Sequence, residues 1–185
     1  MEREIVIVNY FDSVVDRAPI GYAHERGLLH RSVQVFIFKQ PDYDTLLVQK
    51  RSRTHEEDPV KFGPSAAGHV DVGEDYLKAA LREMKEEIFW EMKELPSGLK
   101  LVEIARGYRN DEPGKCPENS TLYCAVYAGP FFPNPEEVDY VRFMPVKNAI
   151  EDQKNNPDIY TFSFVNATKH FQAWRAADGG AVAAH

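Results

Sequence analysis

Only two cysteines, Cys116 and Cys124, occur in the chain, too few for a disulfide scaffold. The opening MEREIVIVNYF runs from mixed charges straight into alternation, without the basic and then apolar layout of a secretory leader. Both thiols are therefore expected to be reduced and the protein cytoplasmic. No segment approaches the roughly 18 uninterrupted apolar residues of a membrane-spanning helix, so no membrane partner is expected. Positive charge is also scarce. Against 29 Asp and Glu stand 22 Lys and Arg, a formal net charge of −7, whereas a nucleic-acid polymer would need clustered Lys and Arg. A small phosphorylated ligand is not excluded, because a bound divalent cation can bring the positive charge that side chains lack. Repeats, linkers and low-complexity blocks are absent, so residues 1–185 are expected to form a single domain.

What is present is an ordered series of patterned segments. Residues 3–9, 32–39 and 45–49 read as strands, the last two joined by the turn Pro41-Asp42-Tyr43-Asp44. Residues 51–66 read as a long loop and Ser65 to Val70 as a short strand. The clearest helix spans 75–90, with Leu77, Ala80, Leu81, Met84 and Ile88 on one apolar stripe. Strands are predicted at 100–108, 121–128 and 138–144, with a polar loop at 109–120. Helices follow at 145–153 and 161–176, the second burying Phe164, Ala167, Phe171 and Trp174. Asp178-Gly179-Gly180 is expected to end it, with a frayed Ala-rich tail. Sheet and helices mixed along one chain give an α/β fold.

The chemistry concentrates on the clearest helix. With Glu83 taken as zero, Glu87 lies roughly 40° to one side and Glu86 roughly 60° to the other, at about 100° per residue. The apolar stripe is centred roughly 120° away, so the acids are expected to line an edge beside it. Three carboxylates within one turn repel one another. A hard divalent cation such as Mg²⁺, which takes oxygen ligands and keeps waters for substrate phosphates, compensates that repulsion.

The wider spacing is more specific. Gly68, five residues, Glu74, seven residues, Arg82-Glu83, Met84, Lys85 and Glu86-Glu87 is similar to the Nudix box. Six of the fixed positions are met, and the box would occupy residues 68–90. The Gly that should follow is replaced by Phe89 and then Trp90, so the helix is expected to leave differently, running on towards Pro96. The resemblance implies an α/β/α sandwich with a mixed sheet, the box forming a loop-helix-loop. It implies Mg²⁺, with Mn²⁺ as a substitute, held mainly by Glu83 and Glu87, then by Glu86 and the carbonyl of Ala67. Glu74 and Arg82 would pair and orient the cluster. The implied reaction is water attack on a small-molecule diphosphate, a nucleoside diphosphate derivative or a related compound. The general base stays open among Glu86, Glu83, Glu112 and Glu118. Arg51, Arg53 and Gly68 are candidate substrate contacts, and a homodimer is compatible with the family. For Tyr108, Arg109 and Tyr127, core packing is preferred over stacking on a base.

Residues 1–30 form an N-terminal extension to this pattern. The run Ala23-His24-Glu25-Arg26-Gly27-Leu28-Leu29-His30, together with His69, resembles the histidine metal site of isopentenyl diphosphate isomerase, which shares the Nudix fold. That resemblance implies a second metal site on His24, His30 and His69. The isomerase's proton-transfer cysteine is replaced by Ala67, and its acids have no counterpart in Asn119-Ser120-Thr121-Leu122-Tyr123, Glu118 being the nearest. Hydrolysis is therefore preferred to isomerisation. A silent binding module is disfavoured too, because the box acids are present.

Overall fold

A computed structural model describes residues 3–177. In chain order the elements are β1 (Glu4–Val8), β2 (Val14–Pro19), α1 (Ile20–Glu25), β3 (His30–Phe38) and β4 (Thr45–Arg51). Then come β5 (Phe62–Gly63), β6 (Ala66–His69), α2 (Tyr76–Glu87), β7 (Val102–Asn110) and β8 (Glu118–Val126). β9 (Val138–Pro145), α3 (Val146–Asn155), a 3-10 turn at Pro157–Ile159 and α4 (Phe162–Ala176) complete it.

β3 organises the sheet. It runs parallel to β8 from His30↔Glu118 to Phe38↔Val126. It runs antiparallel to β6 from Ser32↔His69 to Val35↔Ala66, and to β4 at Ile37↔Leu47 and Phe38↔Leu46. The sheet is therefore mixed. Strand alternation then sorts the β3 side chains by parity. Val33, Val35 and Ile37 enter one core with Ala79, Ala80, Met84 and Ile88 of α2. Phe36 and Phe38 enter the other core with Val146 and Ala149 of α3 and Phe164, Ala167 and Phe171 of α4. Helices thus cover both faces, which is the α/β/α sandwich anticipated from the box. On the Phe36 face the same parity continues backwards into Gln34, Ser32 and His30, all buried and all polar. That polar end of β3 is the floor of the site.

The structure corrects several expectations. β2 and α1 are not legible as elements in the sequence. The polar loop predicted at 109–120 is shorter, because β7 runs to Asn110 and β8 starts at Glu118. Asn119 and Ser120 sit in the ladder with Arg31 and Ser32, where the sheet surface is polar. α2 starts after Asp75, whose side chain accepts from Lys78 N at 2.8 Å. It stops at Glu87 instead of running on. Phe89 N still reaches Met84 O at 3.0 Å, and the Phe89 ring is fully buried against Tyr127 and Phe131. Burial of that ring ends the helix without the family's Gly. Leu77, expected on the buried stripe, is 44% exposed; Tyr76 and Ala79 take that face. The predicted stop at Asp178-Gly179-Gly180 and the Ala-rich tail lie outside the described residues.

Candidate active site

Two groups of side chains flank the short strand β6. Ala67 pairs with Gln34 in the antiparallel ladder, and its N–H points to the free edge, donating to Glu87 Oε1 at 3.1 Å. N–H and C=O of one strand residue point the same way, so the Ala67 carbonyl also faces the box acids. Two residues on, His69 O points to that edge and accepts from Arg82 Nη2 at 2.8 Å and Arg3 Nη2 at 3.1 Å. Gly68 lies between, and a Cβ there would fall 2.1 Å from Glu83 Oε1. Only glycine lets the carboxylate approach the backbone this closely.

The acids do not line an edge beside the buried stripe, as helical angles suggested. Glu83 and Glu87 are inside the buried face, and Glu86 turns out towards solvent. Glu83 Oε1 accepts from Arg82 Nη1 at 2.6 Å and Arg3 Nη2 at 2.8 Å. Arg82 also binds both oxygens of Glu74, each at 2.9 Å, and Glu86 at 3.0 Å. Arg82 and Glu74 are therefore paired, within reach of the helix acids. Burial pushes the Glu83 carboxyl up from its ordinary value, against the pull of Arg82 and Arg3. Glu87 is pushed up well above the ordinary value by burial, and then by the charge of Glu83. Its Oε2 accepts from Gln49 Nε2 at 2.7 Å. Both Glu87 oxygens thus accept hydrogen bonds, which suits a carboxylate. Among the described residues no Lys or Arg reaches it, and Gln49 Oε1 is buried without a partner. A buried, donor-solvated carboxylate lacking a cation, next to two more acids and an outward carbonyl, fits a hard divalent ion. Glu83, Glu86, Glu87 and the Ala67 carbonyl are the groups that would hold it.

On the other side of β6 three imidazoles converge. His24, His30 and His69 have ring centroids 4.9 to 5.1 Å apart, and their ligand atoms lie within 4.8 Å of one another. His30 Nδ1 is 2.8 Å from Leu28 O, so that nitrogen carries the proton. Its Nε2 is left with a lone pair, buried and unpartnered. His24 Nε2 and His69 Nε2 are 3.3 Å apart. Burial, then neighbouring charge, holds His69 well below the ordinary value, and burial lowers His30. A neutral ring with an inward lone pair, as at His30, is the form in which histidine ligates a metal.

Glu118, a candidate base from the sequence, is also a partner of these histidines, which the sequence did not suggest. It opens β8 and lies 3.7 Å from His69 Nε2 and 3.9 Å from His30 Nε2. Ser32 Oγ and Asn110 Nδ2, each at 2.8 Å, hold its other oxygen. It pairs with His30 across the parallel ladder, a register that no local pattern in the sequence signals. Glu57 Oε1 stands 3.4 Å from His24 Nδ1.

A cleft of about 740 Å³ opens over His24, His69, Ala67, Gly68, Ser32, Gln34 and Glu118. Arg51 and Glu112 line it; Arg53 is exposed and lies outside it. Arg51 Nη1 donates to Glu57 O at 2.6 Å, while its Nε is buried and unpartnered. Glu112 is engaged by Lys115 at 3.2 Å. Tyr108 and Tyr127 pack in the cores, as preferred from composition. Cys116 and Cys124 are free thiols, and no described helix is long and apolar enough to cross a membrane.

Comparison with known proteins agrees with this geometry. Residues 28–163 match the Nudix domain. A Nudix hydrolase of Streptomyces coelicolor, named as uncharacterized, is 31% identical over 94% of this chain and 90% of its own. An isopentenyl-diphosphate Delta-isomerase of Aromatoleum aromaticum is 23% identical over 100% of this chain and 94% of its own. A crystal structure from Deinococcus radiodurans superposes with a TM-score of 0.73 at 17% identity, covering 90% of this chain and 97% of that one. The layer order and the sequence match converge: the chain belongs to the Nudix family and, by that membership, to the hydrolases of phosphorus-containing anhydrides.

Proposed function

We propose that the protein is a Mg²⁺-dependent pyrophosphohydrolase that splits the diphosphate linkage of a nucleoside diphosphate derivative or a related small molecule. The observation that carries this reading is Glu87, buried and solvated by two donors with no cation of its own, beside Glu83 and Glu86. A bound divalent cation supplies charge withdrawal from phosphoryl oxygens and acidifies water. The residues themselves do the positioning. Gly68 leaves room for Glu83 against the strand, Arg82 ties the helix acids to Glu74 and to His69 O, and Gln49 orients Glu87. Arg51, with an unpartnered Nε beside the cleft, is a phosphate contact. Glu86, the most exposed box acid, is best placed to take a proton from water.

The histidine cluster is a second cation site in this reading. Three nitrogen donors and Glu118 suit Mn²⁺ or Zn²⁺ better than Mg²⁺. Convergence of these histidines, with the isomerase relative, favours isomerisation of an isoprenoid diphosphate as the second reading. Ala67 stands against it, because a methyl group in the cleft wall cannot move a proton. The deciding experiment is a panel of dinucleotides, sugar nucleotides, nucleoside triphosphates and an allylic diphosphate, each with Mg²⁺ and with Mn²⁺. Hydrolysis of at least one anhydride is expected. Isomerised allylic product would move the assignment to the second reading, and turnover of none by folded protein would sink both.

A further inference from the structure

Arg3 comes from the far end of the chain and ends inside the box. Its backbone is fixed just before β1, where Ile20 N donates to Arg3 O at 3.0 Å. Its Nε donates to Asp71 Oδ1 at 2.5 Å, and its Nη2 donates to His69 O at 3.1 Å and Glu83 Oε1 at 2.8 Å. Arg82 makes the same last two contacts from the opposite direction. Two guanidiniums therefore compensate one carboxylate oxygen, although each repels the other.

They differ in how firmly they are held. Arg82 is bound to Glu74 by both Nε and Nη2 and to Glu86 by Nη1, and its side chain is 19% exposed. Arg3 is 37% exposed and has one carboxylate partner besides Glu83. Its backbone hydrogen bond leaves the side chain free to swing towards solvent while the strand stays paired.

We propose that Arg3 is a built-in counter-cation for Glu83 which a divalent ion displaces on loading. The inference rests on the box acids binding that ion. The exchange is a competition between charges for one buried carboxylate, and it links occupancy of the box to the side chain that closes the N-terminal edge of the site. Arg82 remains in place as the orienting group, because its bidentate bond to Glu74 is independent of Glu83. Arg3 then sets how much free cation is needed to load the box, and no residue within the box pattern reports that threshold.

The test is direct binding, read without turnover. Mg²⁺ affinity is measured by titration calorimetry for the wild type and Arg3→Gln; Mg²⁺ is chosen because oxygen donors, not imidazoles, take it. Removing a positive charge within contact of the carboxylate is expected to tighten binding about tenfold or more. Unchanged or weaker binding in Arg3→Gln overturns the proposal, the second by making Arg3 a support for the ligand instead of its competitor. Should that variant not fold, ¹⁵N NMR of the wild type decides the question. The Arg3 guanidinium protons are expected to lose protection from solvent when Mg²⁺ saturates the site, and equal protection with and without Mg²⁺ overturns it. No Mg²⁺ binding by the wild type would remove the box-metal reading, and the inference with it. Binding by the wild type with unchanged Arg3→Gln would remove the inference alone.

Discussion

Replacing Glu87 by Gln separates metal binding from folding more cleanly than any other substitution at the site. Glu87 is 3% exposed, so the change replaces a buried titratable carboxyl by a neutral amide of nearly the same volume. The hydrogen bonds can be remade. Ala67 N keeps its acceptor in the new Oε1. The new amide NH₂ can donate to Gln49 Oε1, orphaned now, once the Gln49 amide turns over. Without added metal, the variant is expected to be more stable than the wild type by about 1–3 kcal/mol, the usual cost of a polar group buried without full compensation. The sign follows from the pKa. The Glu87 carboxyl lies above its unfolded value, so its protonation favours the fold at low pH, and that contribution is lost as pH rises through the folded value. The advantage of Gln should therefore grow upwards from about pH 4.5. With Mg²⁺ at a hundred times its dissociation constant the wild type gains about 2.7 kcal/mol. For a chain of this size that is about 5–11 °C in Tm. Glu87→Gln should lose most of that gain and reduce turnover by orders of magnitude. Thermal melts with and without Mg²⁺ over a pH series measure both. A variant that is less stable without metal, or that keeps the full Mg²⁺ shift, would refute the account of Glu87 as an uncompensated ligand.

Three other outcomes are expected. Gly68→Ala should destabilise the chain by roughly 2 kcal/mol and abolish Mg²⁺ binding, because the new Cβ meets the Glu83 carboxylate at 2.1 Å; calorimetry and melting check it. His30→Ala should remove Mn²⁺ or Zn²⁺ binding at the histidine cluster while leaving the Mg²⁺-dependent Tm shift, and equilibrium dialysis showing undiminished Zn²⁺ would count against that site. In the Glu87→Gln background, where the opposing carboxyl is gone, metal-free stability should fall between about pH 6.5 and pH 4, since the unfolded chain takes up protons there that buried His30 and the partly buried His69 and His55 (lowered to about 4) refuse. Denaturant midpoints that stay level across that window would show the rings to be protonated in the folded state.

What was legible in the sequence is local in character. The spacing from Gly68 to Glu87 spans one loop and one helix, so helical periodicity and a short pattern carry it. The histidines stand out through a resemblance, and the cluster they form depends on the pairing of His30 with Ile7 and of His69 with Ser32, which no local pattern states. Arg3 and Gln49 escape sequence reasoning for the same reason. Each reaches the box acids from a segment distant in sequence, and neither residue type is distinctive where it stands. Glu118 is hidden by a strand boundary that lies earlier than propensity suggests. Polar Asn119 and Ser120 read as loop because strand propensity expects apolar residues, yet this end of the sheet lies beside a polar-lined cleft. A missing glycine misleads about the helix exit, whereas tertiary burial of Phe89 ends the helix.

His69 belongs to both halves of the site. Its ring completes the histidine triad, and its carbonyl is gripped by the two arginines that compensate Glu83. The two centres therefore share a rigid wall one strand thick. A shift of β6 by a single residue would turn the ring away from its triad and rotate the carbonyl out of the arginines' reach together. Selection acting on one centre must keep the register that the other needs. The four residues Ala66–His69 are consequently the part of this chain where insertions should be tolerated least, although much of that strand is polar backbone and small side chains.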